Sequence, residues 1–180
     1  MNSAKAIIGI AIIILLGAGG FFFWSEYPRG IDQEVASGQT LSQDAIFGLV
    51  LSDESGNPRT LADYKGKNTI ILTWATWCPY CARELKELAR VKDEYREKIE
   101  VVAVNRGEAP ESVRSHLEKN IIHPGVRYLS GPNDSFYKAI GGFSMPETIF
   151  IDKKGEVRFH KRGPMNTEEL RRRAQDIFGI

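Results

Sequence analysis

The chain's only two cysteines, Cys78 and Cys81, are separated by Pro79 and Tyr80 alone. A thiol pair at this spacing either opens and closes a small disulfide ring, passing two electrons, or supplies half of a zinc site. A zinc site needs more ligands. There is no second cysteine pair, and His116, His123 and His160 do not have the spacing of a His-x3–5-His pair. Two cysteines are also too few to staple a fold. Redox chemistry is therefore preferred over a metal half-site or two inert buried thiols, and the disulfide itself is expected to be the only redox group, with no metal and no added cofactor.

The elements around the pair strengthen this reading. Thr69 to Ala75 is a nearly unbroken apolar, β-rich run, as in a strand buried on both faces. A helix is expected from Pro79 to Lys98, with Leu85, Leu88, Ala89 and Tyr95 on its core face and Arg, Lys and Glu on the other. The cysteines thus stand where a strand ends and a helix begins. Unsatisfied N–H groups and the positive end of the helix dipole stabilise a thiolate there. Cys78, the first and more exposed, is the expected nucleophile. Cys81, one turn later, is placed to resolve a mixed disulfide. Pro79 suits a first-turn position that has no use for an N–H.

Further along, Phe47–Leu51 and the Asp53–Pro58 turn suggest an opening hairpin. Strands are expected at Glu100–Asn105, Val126–Leu129, Thr148–Ile151 and Val157–Lys161, the last two joined by a turn at Asp152–Gly155. Helices are expected at Pro110–Asn120, at Asn133–Ile140 before Gly141-Gly142, and from Thr167, whose hydroxyl is a candidate N-cap and whose helix turns Leu170 and Ile177 inward. The order implies an α/β fold with a central mixed β-sheet flanked by helices.

The chain begins differently. Residues 6–24 contain no charged or polar side chain, and as a helix they rise roughly 28 Å, close to the thickness of a bilayer core. Lys5 precedes the run; Trp24 and Tyr27 stand where interfacial aromatics belong. The run exceeds the h-region of a signal peptide and lacks a clean cleavage site. Residues 1–24 are therefore expected to be an N-terminal single-pass membrane anchor, residues 25–44 a polar tether, and residues 45–180 the folded domain. A very short basic tail ahead of a first span puts the domain outside the cytoplasm, on the periplasmic or extracellular side. With 24 Lys+Arg against 23 Asp+Glu there is no basic footprint for nucleic acid, which is excluded as a partner.

The segment Thr73–Leu88 (TWATWCPYCARELKEL) resembles the active-site segment of thioredoxin-like proteins, in particular the membrane-anchored extracytoplasmic TlpA/ResA/DsbE group. Leu61–Lys67 is similar to that group's lead-in to the central strand, and Gly142–Asp152 to its cis-proline loop. The resemblance spans about residues 44–175. It implies a thioredoxin-like fold and a cis bond at Met145–Pro146, in a loop packed against the cysteines that offers the Met145 backbone to an extended substrate. It implies substrate contact by Trp77, a core role for Trp74, and tuning of the pair by Pro79, Tyr80 and Glu147. Glu147 is read as a thiol-tuning or partner-contacting group, with an exposed surface carboxylate as the alternative. One departure stands out. Thioredoxins carry a buried acid six positions before the first cysteine, where this chain has Leu72, so a proton acceptor for Cys81 must be Glu147, water or solvent.

The resemblance implies a reductase of extracytoplasmic protein disulfides, with apocytochrome c as the leading substrate because haem attachment needs a reduced C-x-x-C-H site. A membrane electron donor of thiol–disulfide type would restore the pair, since oxidation is the default outside the cytoplasm. A DsbA-like oxidase or isomerase is the first alternative, and a copper-binding chaperone of the same fold the second. The Pro-Tyr dipeptide and Leu72 leave the direction of electron flow open.

Overall fold

The computed structural model describes residues 43–120 and 123–180. The expected anchor and the tether up to residue 42 lie outside the described residues. Among the described residues no helix is long and apolar enough to cross a membrane.

The elements run α1 (Gln43–Phe47), β1 (Val50–Asp53), β2 (Pro58–Thr60), β3 (Thr69–Trp74), α2 (Pro79–Tyr95), β4 (Glu100–Asn105), α3 (Pro110–Lys119), β5 (Val126–Ser130), α4 (Ser135–Ala139), β6 (Glu147–Ile151), β7 (Val157–Arg162) and α5 (Thr167–Phe178), with short 3-10 turns between some of them. The strands form one sheet in the order β2-β1-β5-β4-β3-β6-β7. β3, β4 and β5 are parallel neighbours. β6 runs antiparallel to β3 and to β7, and β1 antiparallel to β5 and to β2. This is the expected mixed sheet.

Alternation along the strands divides the core in two. Ile70, Leu72 and Trp74 of β3 and Phe150 of β6 meet α2, α3 and α5 on one face, called the front here. Ile71 of β3 and Ile149 and Ile151 of β6 meet α1 and α4 on the back. Every residue of β3 is buried, in keeping with its unbroken apolar run. Each Ile or Leu so buried contributes about 1.5–3 kcal/mol.

Several local expectations change. Phe47 belongs to α1 and packs on the back-face core, so the hairpin starts only at Val50. The helix after the cysteines ends at Tyr95, and Arg96–Lys98 form a 3-10 turn entered through Arg96 at φ 46°. Its buried stripe is Cys81, Glu84, Leu88, Val91 and Tyr95, with Leu85 and Ala89 only partly buried beside it. The last helix is capped by Asn166, whose Oδ1 accepts from the Glu169 N–H at 2.9 Å. The Thr167 hydroxyl turns instead to Glu87 on α2. Asn has the reach to cap from the preceding extended position, which leaves Thr167 free to tie two helices together.

Candidate active site

Cys78 and Cys81 are joined as a disulfide, with their Cα atoms 5.3 Å apart. Cys78 is the N-cap of α2, in extended conformation, and its sulfur accepts the Cys81 N–H at 3.1 Å. Pro79 occupies the first helical turn, as its missing N–H favours. The pair is shielded: Cys78 is 4 % exposed and Cys81 0 %. The side chains around it are not. Trp77 is 63 % and Tyr80 54 % exposed, the latter under the Arg83 guanidinium at 5.8 Å from the ring centroid. Trp74 is buried in the front-face core, against Tyr128 and His116.

Glu84, which the sequence reading placed on the charged face of the helix, is fully buried. It lies three residues after Cys81 on the same stripe of α2, a spacing that makes side chains neighbours. Its carboxylate accepts from the Thr148 hydroxyl and from the Met165 N–H at 3.0 Å. Burial dominates these two donors and pushes the carboxyl up to about 7. Thr148 is the cross-strand partner of Leu72. An acid carried by the strand in thioredoxins is thus replaced here by one that the helix delivers beside the same place. The signal available in the sequence was the spacing from Cys81.

The loop before β6 is the second part of the site. The Met145–Pro146 bond is cis, as expected. Met145 is partly buried against the front-face core, and its sulfur lies 3.9 Å from the Thr73 hydroxyl at the end of β3. That hydroxyl also donates to the Glu147 carbonyl and accepts the Glu147 N–H, so loop and strand are joined beside the cysteine turn. The Pro146 carbonyl accepts from the Gly163 N–H at 2.9 Å. No backbone hydrogen bond engages Met145 among the described residues. Phe143 is 84 % exposed two residues earlier.

Glu147 is not a surface carboxylate: it is fully buried. By strand alternation its side chain shares the back face with Ile149 and Ile151, across the sheet from the cysteines. Burial pushes its carboxyl up, but a 2.6 Å hydrogen bond from His160 and the N–H groups of Ser144 and Phe143 outweigh this and hold it below the usual carboxylate range.

A third carboxylate fixes the segment leading into the cysteines. Glu108 accepts from the Thr76 N–H at 2.7 Å, the Thr76 hydroxyl at 2.5 Å and the Asn105 amide at 2.7 Å. Burial raises its carboxyl and these donors lower it further, so it stays ionised. Among the described residues no cluster of three or more His, Cys, Asp and Glu side chains is placed to hold a metal ion.

Known proteins resemble this arrangement along most of the chain. The family model described as Redoxin matches residues 36–177. The thiol-disulfide oxidoreductase ResA of Geobacillus kaustophilus is 30 % identical over 168 residues, 92 % of this chain and 91 % of the relative. The thioredoxin-like protein YneN of Bacillus subtilis is 29 % identical over 170 residues, 92 % of this chain and 94 % of YneN. A solved structure, a secreted Mycobacterium tuberculosis disulfide oxidoreductase homologous to E. coli DsbE, matches with a TM-score of 0.64 at 20 % identity, over 74 % of this chain and 99 % of that one, which shows the shared thioredoxin-like fold.

Proposed function

Because the chain belongs to the Redoxin family and is a thiol–disulfide oxidoreductase of ResA/DsbE type, we propose that it reduces protein disulfides on the outer side of the cytoplasmic membrane, held there by residues 1–24 as a single-pass anchor. The observation that carries the mechanism is the Cys78–Cys81 pair at the cap of α2 with a buried, readily protonated Glu84 one turn further on. In the reduced protein the Cys78 thiolate attacks a substrate disulfide. One substrate sulfur bonds to Cys78 and the other leaves as a thiolate. Glu84 takes the Cys81 proton, and the Cys81 thiolate attacks the Cys78 sulfur. The second substrate thiolate is released and the Cys78–Cys81 disulfide remains, two electrons having passed to the substrate. A membrane donor of thiol–disulfide type then restores the dithiol.

Substrate binding is assigned to Trp77 and to the backbone of Met145, positioned by Pro146. The unengaged Met145 backbone supports strand addition by an extended segment that carries the target cysteine. Pro79 and Tyr80 tune the pair from between the cysteines. Apocytochrome c is the proposed substrate, on the resemblance to the TlpA/ResA/DsbE group and because haem attachment needs a reduced C-x-x-C-H site.

Trapping tests this reading. A Cys81→Ser chain cannot resolve its mixed disulfides, so substrates accumulate on Cys78. Recovery of cytochrome apoproteins or their maturation factors is the expected result. A broad, unselective set of secreted proteins sinks the cytochrome assignment, and a reduction potential near about −120 mV, the value of a strong oxidant, turns the direction around.

A further inference from the structure

We infer that His160, on β7 and outside the redox pair, is a positioning residue that sets the substrate-binding loop through Glu147. The inference rests on the proposed binding of polypeptide substrates at Met145.

The two oxygens of the buried Glu147 carboxylate have different duties. Oε1 accepts the N–H groups of Phe143 at 2.6 Å and Ser144 at 2.7 Å, so it shapes the loop immediately before Met145. Oε2 pairs with His160 Nε2 at 2.6 Å. His160 faces Ile149 across the β6–β7 ladder and is therefore diagonal to Glu147 on the back face, within side-chain reach. Its side chain is 8 % exposed and that of Glu147 0 %, so water does not readily substitute. The Arg162 guanidinium stands further off, with Nε 3.9 Å from Oε1 and a side chain 39 % exposed.

The same strand end also holds the far side of the loop. Gly163, just past β7, donates to the Pro146 carbonyl, and Arg162 donates to the Gly141 carbonyl at 3.4 Å. From α4 the Tyr137 hydroxyl donates to the Ser144 carbonyl at 3.0 Å, so Ser144 is gripped through both its N–H and its C=O. The Tyr137 ring lies so close that a Cβ on Gly142 would collide with it. Met145 thus follows a residue fixed from two sides and precedes a proline fixed by β7.

Removing the imidazole leaves one oxygen of a buried carboxylate without a donor. The carboxylate then moves toward Arg162 or admits water, and the Phe143 and Ser144 amides move with it. Among the described residues no hydrogen bond of this network involves either cysteine. Sulfur chemistry with a small disulfide therefore continues unchanged, while binding of an extended polypeptide weakens.

The experiment compares the full-length chain with His160→Ala and His160→Gln, each reduced first, in single-turnover oxidation by a one-bridge peptide disulfide and by dithiobis(nitrobenzoate), KM and kcat denoting the half-saturating concentration and the limiting rate of that one oxidation. In the Ala variant KM for the peptide is expected to rise about tenfold with kcat and the small-disulfide rate retained, the pattern of lost substrate binding. Gln supplies an N–H at similar reach and is expected to restore KM. Amide exchange at Phe143 and Ser144 accelerates in the Ala variant, which reads the loop independently of turnover. An unchanged KM, unchanged exchange at those amides, or a Gln variant as impaired as Ala overturns the inference. So does a parallel fall of the small-disulfide rate, which means general damage. A wild type no faster than its Cys78→Ser variant on either disulfide overturns the redox reading beneath it.

Discussion

Glu84 and Glu147 are both fully withdrawn from solvent, on opposite faces of one sheet, yet burial raises one carboxyl to about 7 and leaves the other below the usual range. The desolvation penalty has the same sign in both. What differs is the donor set. Glu84 has one neutral hydroxyl and one backbone N–H. Glu147 has two backbone N–H groups, an imidazole nitrogen and, more distantly, a guanidinium. Few donors leave a carboxyl that can take and return a proton near neutral pH. Many donors make a fixed anion whose value is structural. Proton handling and clamping are separated by the sheet between them.

The sharpest way to break this contrast is Glu147→Ala. It strands two part-buried N–H groups and an imidazole together, so unfolding in urea should show a loss of about 3–5 kcal/mol. A loss below about 1 kcal/mol, the net worth of one ordinary hydrogen bond, would reduce the clamp to a single contact.

Glu84 is expected to act through pH. Its carboxyl rises from 4.5 to about 7 on folding, so between these values the native state binds the extra proton and the unfolded state does not. The Glu84 contribution to stability is therefore full below 4.5, falls as pH climbs through this window, and is lost above 7. At 1.36 kcal/mol per unit the fall amounts to about 3 kcal/mol. Glu84→Gln should flatten that slope in unfolding measurements at pH 5 and pH 8; a slope that survives assigns it to another group. Glu147 has the opposite sign. Its lowered carboxyl contributes stability above the ordinary carboxylate range, lost as pH falls through the lowered value.

Thr148→Val is a smaller test, removing one of the two Glu84 donors. A cost of about 1 kcal/mol is expected, with the pH-dependent limb moved upward because the ionised form has lost a partner. A limb that moves downward contradicts the donor argument. Trp77→Ala should have the smallest effect on stability, within about 0.5 kcal/mol, since the ring is mostly solvated. Slower exchange with a peptide disulfide in that variant would mark the ring as a substrate contact that owes nothing to folding.

Much of this molecule was legible in the sequence. The strands β3 to β7 follow from apolar runs bounded by turns, and the cysteine pair from its position between β3 and α2. The two glutamates were not legible, for different reasons. Glu84 is hidden among charged residues of an amphipathic helix; counting Leu85 and Ala89 into the core stripe rotated the face away from it, whereas counting from Cys81 and Val91 brings it inward. Glu147 was singled out, but its surroundings depend on the β6–β7 register, which shifts at Phe150/Ile151 and brings His160 and Arg162 across the hairpin. The strand and turn pattern gives the hairpin but not that shift. Phe47 and Thr167 failed at element ends, where a neighbouring packing contact or a better cap, Asn166, decides by small margins.

The capping sulfur has one further consequence. Cys78 closes the N-terminus of α2 through its sulfur, so the acceptor at that helix end changes character whenever the pair changes oxidation state. A thiolate accepts a helix N–H more strongly than a disulfide sulfur does. Folding and reduction form a closed thermodynamic square. Whatever the reduced fold gains at that helix end, the folded chain loses in its grip on the disulfide, relative to the unfolded chain. Melting the oxidised and reduced proteins side by side therefore weighs the electron affinity of the site with a calorimeter, without any electrode.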